Sequence, residues 1–361
     1  MRIGVDISPL SSKKTGVGNY ITYLLLELMT LCPDDTFYLY TFREPPSLFD
    51  HFSYANIRVI RRFSISEALW FQTTLAWHLF KDRIDLFWGT TQCIPLFRRR
   101  KLKTVLTLYD FAYLVTPATV TIVRRLYLRL LSGYFIKQAD RLVTISKGTA
   151  DRLYTFYNKK PHAVIPPPEI NVKKWREGEL KEWLKKRGLS YRGYLLILGT
   201  KEPRKNLAPT LNVYLSLLKQ KQRVYPLVII GKKGWKDQKI QTYLSCLKKY
   251  PQVYELDYLE DEETSKYFSA AHLYLYPSLY EGYGMPVKEA RILGTPVLCL
   301  DVPEVIEAAQ NDAIVLNKKD FPKNLVPYLK KGPPLKKPDH ITYPSNRELA
   351  RELTILFKEL C

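Results

Sequence analysis

The chain has no stretch approaching the roughly 18 consecutive apolar residues that a helix needs to cross a bilayer, so any membrane contact is expected to be peripheral. Its five cysteines, Cys32, Cys93, Cys246, Cys299 and Cys361, are scattered, odd in number and free of CxxC spacing. That excludes a disulfide framework or thiolate zinc site and predicts reduced thiols in a cytoplasmic protein. The five histidines (His51, His78, His162, His272 and His340) show no metal-ligand spacing. No Asp-x-Asp pair is present to hold a divalent cation on a diphosphate, so a metal-dependent mechanism is not expected. The opening Met1-Arg-Ile-Gly-Val-Asp6 carries one base and then reads as a strand, unlike a secretory leader. Short-period repeats and low-complexity tracts are also lacking.

Acid is in short supply. Lys and Arg number 56 against 35 Asp and Glu, a net charge of +21 over 361 residues. Such an excess predicts an acidic partner: nucleic acid, an anionic membrane surface or a phosphorylated substrate. The bases are unevenly placed. From Arg98 to Lys160 there are fourteen, against the acids Asp110, Asp140 and Asp151 alone. Within that stretch, Arg98 to Lys101 and the helical segment Thr121 to Leu131 interleave bases with Tyr, Ile, Val and Leu. This is the pattern of an interfacial helix, with bases for headgroups and apolar side chains for the acyl boundary. No nucleic-acid motif accompanies it, so an anionic membrane surface is expected as a partner and nucleic acid is not.

What is abundant is short apolar strands alternating with helices. Strands are predicted at Arg2–Ile7, Phe37–Phe42, Ile57–Ile60, Leu86–Trp88, Thr104–Leu108, Arg141–Ile145 and Ala163–Ile165. Helices fall between several of them, at Asn19–Leu31, Glu67–Phe80, Val120–Gln138 and Lys147–Tyr157. Ser146 heads the last as an N-cap. Pro166-Pro-Pro-Glu169 stops the pattern, and a charged helix follows at Lys173–Arg187. A second series runs through Tyr194–Gly199, Leu227–Gly231, Val253–Leu256, Leu273–Tyr276, Pro296–Leu300 and Ala313–Leu316. Its helices are expected near Ala208–Lys219, Gln238–Tyr250, Glu262–Ser269 and Val287–Leu293. Apolar strands separated by helices indicate parallel sheets covered on both faces. The expected fold is therefore α/β, with two Rossmann-like parallel-sheet domains facing a cleft. The boundaries are 1–168 and 169–344, and a final helix at 345–361 can pack back on the first.

Three loops suit phosphate. Thr15-Gly-Val-Gly-Asn-Tyr20 follows a strand and opens a helix, but lacks the third glycine of the dinucleotide fingerprint. Gly199-Thr-Lys-Glu-Pro-Arg-Lys-Asn206 brings Arg204 and Lys205 to a strand-to-helix turn, which fits a diphosphate. Gly231-Lys-Lys-Gly-Trp235 is a similar, less specific turn. The stretch with most chemistry is Tyr276 to Ala290. Gly282 and Gly284 allow a tight bend, Pro286 opens a helix, and Glu281 and Glu289 stand on either side. Free N–H groups at such a helix start suit phosphate, while the two glutamates suit hydroxyls at its two ends. A nucleotide-sugar site is expected.

The block from Pro277 to Val297 resembles the signature of glycosyltransferase family 4, retaining enzymes of the GT-B fold among the mannosyltransferase-like group 1 glycosyltransferases. Further pieces appear in the family's order: Arg2 to Asp6 with Thr15 to Tyr20, Trp88-Gly-Thr-Thr91, Gly199 to Asn206, Ile230 to Trp235, and Leu300-Asp-Val-Pro-Glu-Val305. The resemblance implies that Glu281 holds donor-sugar hydroxyls, with Thr200, Gly282, Tyr283, Gly284 and Met285 lining sugar and phosphate. It implies that Glu289 binds the ribose and that Arg204 and Lys205 neutralise the diphosphate. Gly16 and Gly18 then approach that diphosphate from the first domain, and Glu304 sits near the nucleotide. Tyr109 stands where the family commonly has histidine, followed by Asp110. Tyrosine can still donate a hydrogen bond but cannot become cationic.

The expectation is metal-independent hexosyl transfer, mannosyl first, from GDP-mannose or a UDP-hexose to a lipid-linked or glycan acceptor, with no further cofactor. The place expected is the inner face of the cytoplasmic membrane. A UDP-sugar epimerase and a non-catalytic nucleotide-sugar binder are the alternatives of other classes.

Overall fold

The structure, a computed structural model, describes residues 1–10, 16–42, 67–169, 172–234, 238–333 and 342–360. The expected strand at Ile57–Ile60, and Thr15 and Trp235 of the expected loops, lie outside the described residues. The chain divides into two compact units. Unit 1 comprises Met1–Leu114, Thr121–Glu169 and Tyr343–Cys361; unit 2 comprises Val115–Val120 and Ile170–Thr342.

Unit 1 begins β1 (Arg2–Asp6), α1 (Gly16–Leu31), β2 (Thr36–Tyr40), α2 (Glu67–Trp70), α3 (Ala76–Lys81) and β3 (Leu86–Gly89). It continues β4 (Lys103–Leu108), α4 (Ala112–Val115), α5 (Ile122–Gln138), β5 (Arg141–Thr144), α6 (Lys147–Tyr157) and β6 (Ala163–Val164). The strands form one parallel sheet in the order β2-β1-β3-β4-β5-β6. All four residues of β3 are buried, including Trp88, because helices cover both faces. The expected helix at 67–80 is present, but one π-helical turn, Phe71–Leu75, joins α2 to α3. Gln72 in that turn accepts from the Leu96 N–H (2.8 Å) and donates to Tyr127 on α5 (3.1 Å), tying three segments together. Ser146 caps α6, its Oγ accepting from the Thr149 N–H at 2.9 Å.

Unit 2 contains α7 (Glu177–Lys185), β7 (Leu195–Leu198), α8 (Leu207–Lys219), β8 (Leu227–Ile230), α9 (Gln238–Leu247) and β9 (Val253–Leu256). Then come α10 (Asp261–Ala270), β10 (Leu273–Tyr276), α11 (Met285–Ile292), β11 (Val297–Leu300), α12 (Pro303–Ala308), β12 (Ile314–Leu316) and α13 (Phe321–Lys331). Its parallel sheet has the order β12-β11-β10-β7-β8-β9. The expected charged helix is shorter than the 173–187 stretch, starting at Glu177, where Glu179 and the Arg176 backbone form a capping interaction.

The last helix, α14 (Asn346–Lys358), belongs to unit 1. It buries Leu349, Leu353, Leu356 and Phe357; Phe357 meets Trp88 edge-on at 6.2 Å, and Cys32 lies 3.8 Å from Thr354.

In an open parallel sheet the crevice for ligands lies beyond the carboxyl ends of the strands, where the winding reverses. In unit 2 that point falls between β7 and β10, in unit 1 between β1 and β3. The loops that leave β7 and β10 are 199–206 and 277–284. Sheet topology alone therefore brings together two of the stretches singled out above, 78 residues apart as neighbours along β7 and β10.

Candidate active site

Leu198 ends β7, and the chain bends at Gly199, whose φ is 140°. A short 3-10 turn, Pro203–Lys205, then presents two cations, and Asn206, in the left-handed region, starts α8. Opposite, Gly284 (φ 114°) is the N-cap of α11, with Pro286 in the first turn. The Leu279 N–H donates to the Arg204 carbonyl at 2.9 Å, which locks the two loops together.

Between them the side chains form one ion cluster. Glu281 is buried, and it accepts from Lys205 Nζ through Oε1 at 2.8 Å and from Arg204 Nη1 through Oε2. Lys205 also donates to the Tyr276 hydroxyl at 3.0 Å. Arg204 donates to the Tyr280 carbonyl (3.0 Å) and, through Nε and Nη2, to Glu202 Oε1 at 3.1 and 2.7 Å. Burial alone would push the Glu281 carboxyl up, but Lys205 and Arg204 outweigh it and hold it down at about 2. Burial pushes the Lys205 ammonium down against the pull of Glu281. Arg204 loses to burial yet gains more from Glu281, Tyr276 and Glu202, and stays charged.

Glu289 is different. One turn inside α11, it is half-buried, and its carboxylate makes no hydrogen bond or ion pair among the described residues. Burial first, and Asp261 at the start of α10 second, push it up to about 7 against the opposing Lys288. Such a group is an open acceptor beside a helix N-terminus. Glu304 is fully buried in the first turn of α12. That helix packs on the glycine turn: a Cβ on Gly284 would lie 3.5 Å from Ala308 and 3.7 Å from Val305.

The remaining candidates in unit 2 line the same loops. Thr200 is exposed, Gly282 half-buried, Tyr283 buried, and Met285 is the first residue of α11. The Gly231 loop has another task. A Cβ on Gly231 would sit 2.1 Å from the Gly199 carbonyl oxygen, and one on Gly234 2.2 Å from that of Lys201. These glycines let one loop lie backbone-to-backbone on another, so the turn expected as a possible ligand loop supports the 199–206 loop instead.

In unit 1, Gly16 and Gly18 form the first turn of α1, Gly16 exposed and Gly18 buried. One turn on, the Tyr20 ring meets Tyr109 edge-on at 5.4 Å. Tyr109 follows β4, and its buried hydroxyl has no hydrogen-bond partner among the described residues. Burial, with Tyr20 and Asp6 adding, pushes that phenol up, so it stays a protonated donor. Asp110 accepts from the Ala112 N–H at 2.9 Å, starting α4. At the reversal point of the sheet, Asp6 accepts from Ser8 N–H (2.9 Å) and the Thr91 hydroxyl (3.1 Å).

A family model described as glycosyl transferases group 1 matches residues 181–331, from within α7 to the end of α13. Over that stretch the chain is similar to the group 1 glycosyl transferases. O-antigen chain mannosyltransferase B of Escherichia coli is 26% identical over 68% of this chain and 64% of its own length. O-antigen chain mannosyltransferase RfbU of Salmonella typhimurium is 23% identical over 88% of this chain and 87% of its own length. The serotype-specific mannosyltransferase WbdA of Escherichia coli is 28% identical over 49% of this chain. The chain spans under two thirds of mannosyltransferase B and 23% of WbdA. Among solved structures, sucrose-phosphate synthase from Thermosynechococcus elongatus superposes with a TM-score of 0.73 at 16% identity, covering 99% of this chain and 98% of that one. WaaG, a glycosyltransferase involved in lipopolysaccharide biosynthesis, gives 0.65 at 17% identity, covering 92% and 90%. The fold is GT-B, built of two Rossmann-like parallel-sheet units.

Sequence reasoning missed three residues that shape the site. Glu202 clamps Arg204, Asp261 raises Glu289, and the Tyr276 hydroxyl holds Lys205. Glu202 was discoverable from its place two residues before Arg204 on a turn. Asp261 becomes a neighbour of Glu289 only through the folded sheet.

Proposed function

We propose that this chain is a group 1 glycosyl transferase that moves a hexose, mannose first, from a nucleoside diphosphate sugar to a glycan or lipid-linked acceptor, with retention and without a metal. The observation that carries the reading is the meeting of Arg204, Lys205 and Glu281 at the reversal point of unit 2, beside the open carboxylate of Glu289. Breaking the anomeric bond leaves an oxocarbenium-like sugar and new negative charge on the diphosphate. The two cations and the first N–H groups of α11 stabilise that charge, doing what a metal does in other transferases. Glu289 takes the ribose hydroxyls, and Glu281, oriented by both cations, takes hydroxyls of the sugar. The leaving phosphate accepts the proton of the attacking hydroxyl on the same face, which gives retention. The protonated Tyr109 donates to a sugar hydroxyl or phosphate, with Asp110 beside it. The names of the mannosyltransferase relatives support mannose as the sugar; GDP-mannose is the donor proposed first, with a UDP-hexose as the other. The same names also support an O-antigen glycan as acceptor.

A thermal-shift series with GDP-mannose and UDP-hexoses, followed by assay of released nucleoside diphosphate with a lipid-linked glycan acceptor, tests the reading. At least one sugar nucleotide should raise the melting temperature, and release should require acceptor. No stabilisation by any of them sinks the donor site; binding without release makes the chain a binder, and conversion without acceptor an epimerase.

The acceptor class is supported by the surface of unit 1. Helix α5 buries Leu128, Phe135 and Ile136 but turns Ile122, Val123, Leu126 and Leu130 outward, Leu130 being 76% exposed. Phe97, 82% exposed, precedes Arg98-Arg-Arg-Lys101, and Arg98 donates to the last carbonyl of α5, on Gln138, at 2.9 Å. From Leu86 to Ala139 there are nine Lys and Arg and one acid, Asp110. An apolar stripe edged by bases fits an anionic bilayer surface, whereas two copies of it would repel each other. No helix among the described residues is long and apolar enough to cross a membrane. In vesicle sedimentation, binding should require phosphatidylglycerol and fall roughly thirtyfold for Arg125→Ala with Arg129→Ala, about 2 kcal/mol for two bases. Equal binding to neutral vesicles, or unchanged binding by the variant, overturns the membrane assignment; self-association lost with Leu130→Ser makes the stripe a dimer face.

A further inference from the structure

The charges of the ion cluster cancel. Arg204 and Lys205 bring two positive charges, Glu281 and Glu202 two negative ones, all within ion-pair distance. A cluster balanced in this way has no net attraction for a dianion, which is hard to reconcile with its service to a diphosphate unless one carboxylate gives way. The two carboxylates are not held alike. Glu281 spans both cations and its side chain is 9% exposed. Glu202 holds Arg204 alone, through the Nε and Nη2 edge, and its side chain is 15% exposed. Its backbone is fixed independently: the Glu202 N–H donates to the Thr200 carbonyl at 2.9 Å and its carbonyl accepts from Lys205 N–H at 3.0 Å. Arg204 would stay anchored through Nη1 to Tyr280 and Glu281 if Glu202 left.

Resting on the donor-site reading above, we propose that Glu202 is an internal competitor for the nucleoside diphosphate. Its carboxylate occupies the Nε–Nη2 edge of Arg204 in the free protein, and the phosphate of the donor takes that edge while the Glu202 side chain turns to solvent. After transfer, Glu202 reclaims the guanidinium and assists departure of the nucleoside diphosphate. Glu202 is thus a positioning residue that tunes the release of product through Arg204. No bond is made or broken in this exchange; one anion replaces another on the same two N–H donors.

The test measures binding of GDP, UDP and inorganic pyrophosphate by calorimetry to the wild type, Glu202→Gln and Glu202→Ala. Glutamine keeps an oxygen for the Arg204 N–H groups but removes the charge. It should bind the preferred nucleoside diphosphate on the order of tenfold more tightly, a gain that shrinks as salt screens the site. In turnover the same variant should show a lower KM for donor together with a lower kcat. Alanine should bind no more weakly than wild type, since Nη1 still holds the guanidinium. Unchanged or weaker binding by both variants, with melting temperatures near wild type, overturns the competitor role while the donor site stands. Failure of the wild type to bind any of the three anions removes the donor-site reading itself, and this inference with it.

Discussion

Glu281→Gln should lower the stability of the protein by about 3 kcal/mol at neutral pH and reduce transfer on the order of a thousandfold. The two losses have one origin. Glu281 is the carboxylate shared by Arg204 and Lys205, and removing its charge leaves both cations with less compensation in a buried place. Lysine, whose ammonium burial already pushes down, then tends to lose its proton, and the diphosphate loses one of its two cations. The stability loss should depend on pH in a defined sense. Glu281 sits at about 2 in the folded protein and in the ordinary glutamate range when unfolded, so its contribution is present above the unfolded value and fades as pH falls toward 2. Denaturant melts at pH 7 and near pH 3 should therefore show wild type and variant converging in acid. A constant difference across that range would mean that Glu281 acts by packing and not by charge.

The second large effect concerns Glu289. Its carboxyl, pushed up to about 7, is protonated in mild acid and ionised above neutrality. Only the ionised form offers both oxygens to ribose hydroxyls as a charge-assisted acceptor. Donor kcat/KM should rise with pH between about 6 and 8, and Glu289→Gln should be flat across that window and about a hundredfold lower at its upper end. Stability runs the opposite way. The folded state holds the proton more firmly than the unfolded chain, so free protein loses stability as pH rises from the unfolded value through about 7. Without donor, Glu289→Gln should accordingly melt higher than wild type at pH 8. A pH-dependent kcat/KM that survives in the variant would assign the titration elsewhere.

Much of this site was legible in the sequence for a simple reason. Parallel strands buried on both faces read as short apolar runs, and β7, β8 and β10 fall where such runs end at glycine or proline. Once β7 and β10 are strands of one sheet, the loops behind them must meet if the winding reverses between them. Two helices, α12 and α13, are absent from the sequence reading, and both carry proline in the first turn. Pro303 opens α12, where its missing N–H costs nothing. Pro322 does the same in α13, and Pro327 lies inside that helix, yet Phe321, Leu325 and Leu329 keep a strict four-residue stripe, all buried. That stripe was the available signal. The pairing of Arg204 with Glu202 and Glu281 was not readable, since a sequence shows which charges a loop carries and not which of them already neutralise each other. The Gly231 loop failed for a related reason: glycine permits close approach, and only the fold says whether a ligand or another backbone does the approaching.

The placement of α14 bears on how the chain is made. Both stretches of unit 2, Val115–Val120 and Ile170–Thr342, leave unit 1 and return to it, so unit 2 is inserted within unit 1. On the ribosome, unit 2 has its whole sequence while unit 1 still lacks the helix that covers Trp88 and Cys32. Domains fold as units during synthesis, commonly the amino-terminal one first. Here the order in which the two sequences are completed is the reverse. Unit 2 can be complete before unit 1, whose apolar seam stays open until α14 emerges.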